Sequence, residues 1–243
     1  MSDASLMPRS TRGRRAAERT APPIVARLVR LEFSRRLRSW YRVHARDLPW
    51  RRTRDPYRVL ISELMLQQTQ VARVQERYDG FLSEFPTLHS VAAAPRAKVM
   101  EAWAGLGYYA RARNLHALAQ QVVNSDSPQL PADTSRLRAL PGIGAYTAGA
   151  VASFAYERRA ALVDTNVARV LRRVFAPHLD RRSGAGGRVL WRMAEALLPR
   201  TGAATYVHNQ ALMELGALVC TARVAHCARC PVRSLCRSAV SAR

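Results

Sequence analysis

The chain has 243 residues, with Lys+Arg 39 against Asp+Glu 17, a formal net charge of +22 at pH 7 and 48% hydrophobic residues. This length allows one large domain or two smaller ones with ample core. So large a positive excess indicates binding to an anionic polymer such as nucleic acid. No run approaches the roughly 18 apolar residues of a transmembrane helix, and no apolar segment follows the N-terminal arginines. We therefore expect a soluble protein of the cytoplasm or nucleoid.

The N-terminal segment, residues 1–22, is rich in arginine and has few apolar residues. We expect it to form a disordered basic arm that adds non-specific phosphate contacts, with a solvated tail of no function as the alternative. From Ile24 the apolar residues recur at helical spacing through Leu28, Leu31, Leu37 and Tyr41, which predicts a helix that packs against the rest of the protein. Residues 47–50 end it.

A second helix is predicted from Tyr57 to about Phe81, and it carries Glu63 among apolar neighbours. Desolvation of a carboxylate raises its pKa, which suits a general acid near neutral pH. An isolated Glu, however, more often lies on a polar helix face and pairs with an arginine. Further along, residues 105–109 form a glycine-rich turn with Tyr108 and Tyr109, followed by arginines. Such a turn suits base stacking or wedge insertion, although buried tyrosines are an ordinary alternative.

Residues 140–146, Leu-Pro-Gly-Ile-Gly-Ala-Tyr, predict a tight hairpin between two helices. Gly142 and Gly144 tolerate positive φ and leave backbone N–H groups uncovered, and the helix that follows presents its N-terminus. This combination suits a phosphate group. About twenty residues on, Asp164 stands at a helix N-cap position, where most aspartates serve only as caps. Residues 184–187 are predicted to be a flexible loop. No alternating strand pattern occurs, so the predicted fold is all-α.

All four cysteines fall in the last 24 residues of the chain, and they are Cys220, Cys227, Cys230 and Cys236. In a cytosolic chain this clustering indicates metal ligands rather than disulfides. The candidates are a zinc site with four cysteine ligands and a [4Fe–4S] cluster. The single compact loop with one Cys-x-x-Cys pair favours the cluster.

Five segments and the cysteine spacing together carry a specific resemblance, and the segments are residues 62–71, 105–114, 140–150, 163–171 and 209–220. Over roughly residues 40–236 the chain resembles the helix-hairpin-helix, iron–sulfur DNA glycosylase superfamily, and within it the MutY-type adenine DNA glycosylases. The resemblance implies a six-helix barrel domain with the helix-hairpin-helix, residues 48–157. It also implies an iron–sulfur cluster domain formed by residues 23–47 and 158–243.

The resemblance also implies the reaction, which is hydrolysis of the N-glycosidic bond of adenine mispaired with 8-oxoguanine or guanine in double-stranded DNA by a monomer. Glu63 protonates the base, and Asp164 stabilises the oxocarbenium-like sugar. Tyr146 hydrogen-bonds at the reacting centre, and Asn166 holds the adjacent phosphate or water. Trp50, Arg51 and Gln210 line the adenine pocket. Further DNA contacts fall to Gln68, Thr69, Tyr108, Gly142 and Gly144, of which Gln68 and Tyr108 wedge into the duplex. The four cysteines hold the cluster, which orders a basic DNA-binding surface.

Two features bear on specificity. Where strand-cleaving relatives have a lysine after the hairpin this chain has Tyr146, and Lys98 is its only lysine, so we expect a monofunctional glycosylase. Typical adenine glycosylases continue into a Nudix-like domain that reads 8-oxoguanine, which we expect this chain to lack. The alternatives are a thymine glycosylase acting on T/G mismatches and a non-enzymatic iron–sulfur protein that binds DNA or senses redox state.

Overall fold

The computed structural model describes residues 25–180 and 183–239, so the predicted basic arm, residues 1–22, lies outside the described residues. Within those ranges the only β-structure is an isolated bridge between Cys220 and Ala225, and the prediction of an all-α fold is confirmed. The helices in chain order are α1 (Arg27–His44), α2 (Pro56–Leu66), α3 (Val71–Glu84), α4 (Leu88–Ala93), α5 (Arg96–Ala102), α6 (Ala110–Val123), α7 (Thr134–Arg138), α8 (Ala145–Phe154), α9 (Thr165–Phe175), α10 (Gly184–Leu197) and α11 (Gly202–Leu218). None of these helices is long and apolar enough to cross a bilayer.

Helix α2 begins where Asp55 caps it and Pro56 supplies a preset φ. The Asp55 side chain accepts a hydrogen bond from the Arg58 amide, and most of the helix is buried. The prediction of one helix from Tyr57 to about Phe81 is wrong, because α2 ends at Leu66 and α3 begins only at Val71. Gln68, between them, has φ +56°, a left-handed conformation that no α-helix continues.

The hairpin between α7 and α8 requires glycine at one of its two candidate positions. Gly142 has φ +75°, and a Cβ there would lie 2.7 Å from Cβ of Asn114. Gly144 differs from the expectation, because it is the extended N-cap of α8 with φ −84° and open space around it. Its role is to leave the N-terminus of α8 uncovered rather than to adopt a left-handed conformation.

Helices distant in sequence pack to form the core. α8 is buried on nearly every side from Thr147 to Phe154, packing against α2 and α11, and α11 also packs against α1 and α9. In α1, the side chains of Phe33, Leu37 and Tyr41 are buried. Leu28 and Leu31, which we expected to pack with them, are 79% and 58% exposed.

Residues 184–187 form the first turn of α10, so the prediction of a flexible loop is wrong. The Ser183 side chain caps this helix by accepting a hydrogen bond from the Gly186 amide at 3.0 Å. A Cβ on Gly186 would lie 1.8 Å from the carbonyl oxygen of Asp180. Glycine is therefore present here because the backbone approaches closely, and not because the segment bends freely.

Candidate active site

A cavity of about 690 Å³ lies where α2, α8, α9 and α11 meet. Eleven of the residues predicted from the sequence line it, and they are Trp50, Arg51, Glu63, Gln68, Thr69, Gly142, Gly144, Tyr146, Asp164, Asn166 and Gln210. Tyr108 and the four cysteines lie elsewhere. A larger cavity of about 1120 Å³, with Arg136 and Arg158 in its lining, includes none of the predicted site residues.

Glu63 is the buried acid of this cavity, since its residue exposure is only 4%. Its Oε2 accepts a hydrogen bond from the Tyr146 hydroxyl at 2.8 Å. Burial, together with the negative charge of Asp164, raises the pKa of Glu63 to about 7, while the bond from Tyr146 opposes the rise. The side chain is therefore protonated in a substantial fraction of molecules at neutral pH, which suits a general acid.

Asp164, the N-cap of α9, faces the same cavity. One carboxylate oxygen accepts a hydrogen bond from the Val167 amide at 2.6 Å, and the other accepts one from the Asn166 side chain at 3.0 Å. Burial raises the pKa of Asp164, but both bonds favour the ionised form. Asp164 thus caps a helix and also presents a carboxylate to the cavity.

Arg51 is fixed at the cavity wall by a carboxylate that sequence reasoning missed. Its guanidinium donates to Oε2 of Glu214 at 2.8 Å and to Oε1 of Gln210 at 3.0 Å. Glu214 is fully buried and also accepts two side-chain bonds from Arg46, at 2.9 and 2.8 Å. Burial alone would raise the pKa of Glu214, but the hydrogen bonds from Arg46 and Arg51 lower it to about 2.

The hairpin rim of the cavity presents backbone donors. Gly142 and Gly144 are both exposed, and no side chain in the described part of the protein caps the N-terminus of α8. Because the first amides of a helix and its dipole both attract anions, this rim can bind a phosphate. Gln68 and Tyr108 are exposed, both with left-handed backbone, at φ +56° and +47°. Lys98, the only lysine, is exposed on α5 and does not line the cavity.

The four cysteines line one separate cavity of about 360 Å³, together with Val170, Val174 and Leu215. All four are free thiols, and Arg173 donates a hydrogen bond to Sγ of Cys220 at 3.3 Å. No group of three or more His, Cys, Asp or Glu side chains among residues 25–180 and 183–239 could hold a metal ion. A cluster occupies more space than a single ion, and four thiols that line one cavity with apolar walls supply the ligand set of an iron–sulfur cluster.

The helix-hairpin-helix lies beside a cavity that holds a buried acid with a raised pKa and a second carboxylate, a pair that suits hydrolysis of a glycosidic bond. Residues 61–184 match the family described as "HhH-GPD superfamily base excision DNA repair protein". This match spans half of the chain, and the chain belongs to the HhH-GPD superfamily of base excision DNA repair proteins.

The similarity to curated proteins extends beyond that segment. The chain is 45% identical over 215 residues to the adenine DNA glycosylase of Homo sapiens, covering 85% of this chain and 39% of that protein. It is 46% identical over 202 residues to the adenine DNA glycosylase of Mycolicibacterium smegmatis, covering 83% of this chain and 67% of that protein. The chain thus spans about two fifths of the length of the mammalian relatives, which continue beyond the matched region.

Solved structures agree on the fold. A thermostable thymine-DNA glycosylase superposes with a TM-score of 0.79 at 31% identity, covering 86% of this chain and 96% of that one. An endonuclease III trapped in a covalent complex with DNA superposes with a TM-score of 0.72 at 23% identity, covering 85% of this chain and 93% of that one.

Proposed function

We propose that this protein is a monofunctional DNA glycosylase that hydrolyses the N-glycosidic bond of adenine mispaired with 8-oxoguanine or guanine. The observation that carries the proposal is Glu63, a buried acid with pKa about 7 that lines, together with Asp164, a cavity large enough for an extruded base. The identity of 43–46% to adenine DNA glycosylases from mammals and from a mycobacterial relative supports adenine as the base.

In the proposed reaction Glu63 donates its proton to a ring nitrogen of the extruded adenine, which makes the base a better leaving group. As the bond to the base breaks, the sugar becomes positively charged, and the ionised carboxylate of Asp164 stabilises it until water adds. The two carboxyl groups can differ in protonation because Glu63 accepts one side-chain hydrogen bond and Asp164 accepts two bonds that favour its charge. Tyr146 orients Glu63, and Asn166 orients Asp164.

The base itself is bound by Trp50, Arg51 and Gln210, which line the same cavity as Glu63. Trp50 and Gln210 are buried there, and Arg51 is held in place by Glu214. Polar side chains held in place beside a flat aromatic side chain suit a purine. Tyr146 replaces the nucleophilic amine of a strand-cleaving enzyme, and Lys98 lies outside the cavity, which supports hydrolysis without strand cleavage.

Double-stranded DNA is the proposed partner, bound by a monomer in the cytoplasm at the nucleoid. The α8 N-terminus with Gly142 and Gly144 binds a backbone phosphate, while Thr69 lies in the turn that presents Gln68 at the cavity rim. Gln68 and Tyr108 enter the duplex beside the opposing base. Their exposed side chains on a constrained backbone suit insertion, since a wedge must keep its direction while it displaces a base.

We further infer that Cys220, Cys227, Cys230 and Cys236 hold a [4Fe–4S] cluster. The support is the shared cavity of about 360 Å³ that the four side chains line. When bound, the cluster ties the C-terminal loop together and supplies no step of the hydrolysis. The loop around it carries Arg223, Arg229 and Arg233, which gives this end of the protein a basic surface for DNA.

A second candidate, a thymine glycosylase acting on T/G mismatches, is favoured by one observation. The thermostable thymine-DNA glycosylase superposes on this chain with a TM-score of 0.79 at 31% identity. Single-turnover base release from duplexes with A opposite 8-oxoguanine, A opposite G and T opposite G separates the two, with each sample divided between alkali and no alkali. The proposal predicts release of adenine and strand breaks only after alkali. Release of thymine alone supports the second candidate, and tight binding without any release supports a non-enzymatic role.

A further inference from the structure

Arg111 is a buried arginine in the first turn of α6, with a residue exposure of 8%. No carboxylate in the described residues forms an ion pair with it, and oxygen atoms of the backbone surround its charge instead. Its guanidinium donates to the carbonyls of Leu64, Met65, Gln67, Leu106 and Gly107 at 2.7–2.9 Å, and to the Thr69 hydroxyl at 3.2 Å. One terminal nitrogen serves the first three carbonyls, and the other serves the remaining acceptors.

These acceptors lie at the C-terminal end of α2 and in two turns that are far apart in sequence. One turn follows α2 and contains Gln68, and the other precedes α6 and contains Tyr108. Both residues have positive φ, which non-glycine residues rarely adopt unless the surroundings impose it. Thr69 adds a direct link, because its hydroxyl donates to the Leu106 carbonyl at 3.3 Å. A single guanidinium therefore joins the two turns.

The aromatic rings around Arg111 complete the arrangement. Its guanidinium carbon lies 5.5 Å from the ring centroid of Trp103, which is fully buried, and 5.5 Å from that of Tyr108, which is 58% exposed. Cations within about 6 Å of an aromatic ring are attracted to it. The exposed Tyr108 ring is thus supported from below by a charge that the core holds in place.

The position of Arg111 is electrostatically unfavourable for its own helix, because the N-terminal end of a helix repels a cation. It is favourable for α2, whose C-terminal carbonyls it covers. Burial lowers the pKa of Arg111, so the position carries a desolvation cost as well. Local choices of this kind, which oppose a residue's own helix, are typical of functional sites.

We propose that Arg111 is a positioning residue that fixes Gln68 and Tyr108 together, so that both side chains are already directed at the duplex before a base is extruded. The inference rests on the wedge roles given to these two residues in the proposed function. Arg111 itself touches neither the base nor the sugar. It acts by presetting two turns that would otherwise lose their left-handed conformations independently.

The variants Arg111→Lys and Arg111→Met test this, with Arg159→Met as the matched control. Lysine keeps the charge but lacks the planar, forked guanidinium that donates to both turns, and methionine removes the charge. Arg159 also donates to a backbone carbonyl, that of Pro199 at 2.9 Å, but it is exposed and remote from both turns. If Arg111→Met does not fold, Arg111→Lys alone decides the question.

The first readout is hydrogen–deuterium exchange of the free protein. Arg111→Lys should accelerate exchange in residues 67–70 and 106–109 together, while Arg159→Met leaves both segments unchanged. Acceleration in only one turn, or in neither, would overturn the proposal. This readout needs no DNA, so its result stands even if the proposed function fails.

The second readout is extrusion, followed by the fluorescence of 2-aminopurine beside the target adenine in an A/G duplex. Per folded molecule, Arg111→Lys should slow extrusion by about tenfold or more, since small misplacements at a site have effects of this size. The pH dependence of the chemical step should stay that of the wild type. Unchanged extrusion would contradict the proposal. A wild-type protein that neither extrudes nor releases a base would instead contradict the proposed function.

Discussion

Tyr146 donates a hydrogen bond from its hydroxyl to Oε2 of Glu63 at 2.8 Å, and in doing so it sets the acidity of that side chain. Burial raises the pKa of Glu63 to about 7, and the bond from Tyr146 is the main factor that limits the rise. The two residues come from α8 and α2, so the packing of these helices determines the protonation of the proposed acid.

Replacement of Tyr146 by phenylalanine should therefore raise the pKa of Glu63 further. A hydrogen bond contributes about 1 kcal/mol, so the alkaline limb of the base-release rate should move to higher pH by up to about one unit. The matched control is Tyr57→Phe, which removes a buried hydroxyl that donates to the Phe85 carbonyl away from the site. A limb that stays in place, or moves to lower pH, would show that Tyr146 does not act through Glu63.

Substitutions at Asp164 should separate the capping role of this residue from its catalytic role. Asparagine is as good an N-cap as aspartate, so Asp164→Asn should change the free energy of unfolding little, whereas Asp164→Ala should lose about 1 kcal/mol. Base release should fall by about a hundredfold or more in both, because neither side chain carries a negative charge. Asp133→Asn, at the N-cap of α7, is the control that should retain the full rate. Normal base release by Asp164→Asn would leave Asp164 with the capping role alone.

Substitution of Glu214 should lower the free energy of unfolding. Glu214→Gln leaves Arg46 and Arg51 without their carboxylate, and breaking a buried ion pair costs about 3 kcal/mol. The exposed pair of Arg52 and Asp47 provides the control, since Asp47→Asn should cost less than about 1 kcal/mol.

The stability difference should also depend on pH. The folded-state pKa of Glu214, about 2, lies below its ordinary value of 4.5. The contribution of the carboxylate is therefore complete above pH 4.5 and is lost as the pH falls through about 2. Denaturant titrations of both proteins at a series of pH values measure this difference. A constant difference throughout would contradict the proposed ion pair.

The cavity lined by the four cysteines can be tested by measuring the metal and sulfide content of the purified protein. The purified protein should contain iron and acid-labile sulfide in equal amounts, and Cys230→Ser should lose both along with the order of the C-terminal loop. Ser238→Ala, which changes the lining of the same cavity without removing a sulfur ligand, should keep them. Stoichiometric zinc in place of iron and sulfide would show that the four cysteines form a zinc site.

Some features could be predicted from the sequence because their physical causes lie in neighbouring residues. The glycine at Gly142 is required by its own φ, and the cap at Asp164 depends on an amide three residues away. The apolar residues around Glu63 in α2 are consistent with its burial, but the same pattern also allowed an exposed glutamate paired with an arginine. The first two features could be predicted from neighbouring residues in the chain.

The features that the sequence did not reveal depend on partners far away in the chain. The end of α2 at Leu66 is stabilised by Arg111, whose acceptor Leu64 is 47 positions away. The role of Glu214 depends on Arg46, 168 positions away, so its apolar neighbours in α11 do not reveal which residue it pairs with. The polar run from Gln67 to Gln70 was the one local signal of the break after α2.

The measurement that tests the central claim most directly is single-turnover release of adenine by the wild type and Glu63→Gln as a function of pH. Because the folded-state pKa of Glu63 lies near 7, above its ordinary value of 4.5, the protonated and active form predominates below that pH. The wild-type rate should fall as the pH rises through about 7, and Glu63→Gln should release no adenine at any pH while binding the duplex with nearly unchanged affinity. Adenine release by Glu63→Gln at the wild-type rate would contradict the assignment of Glu63 as the acid.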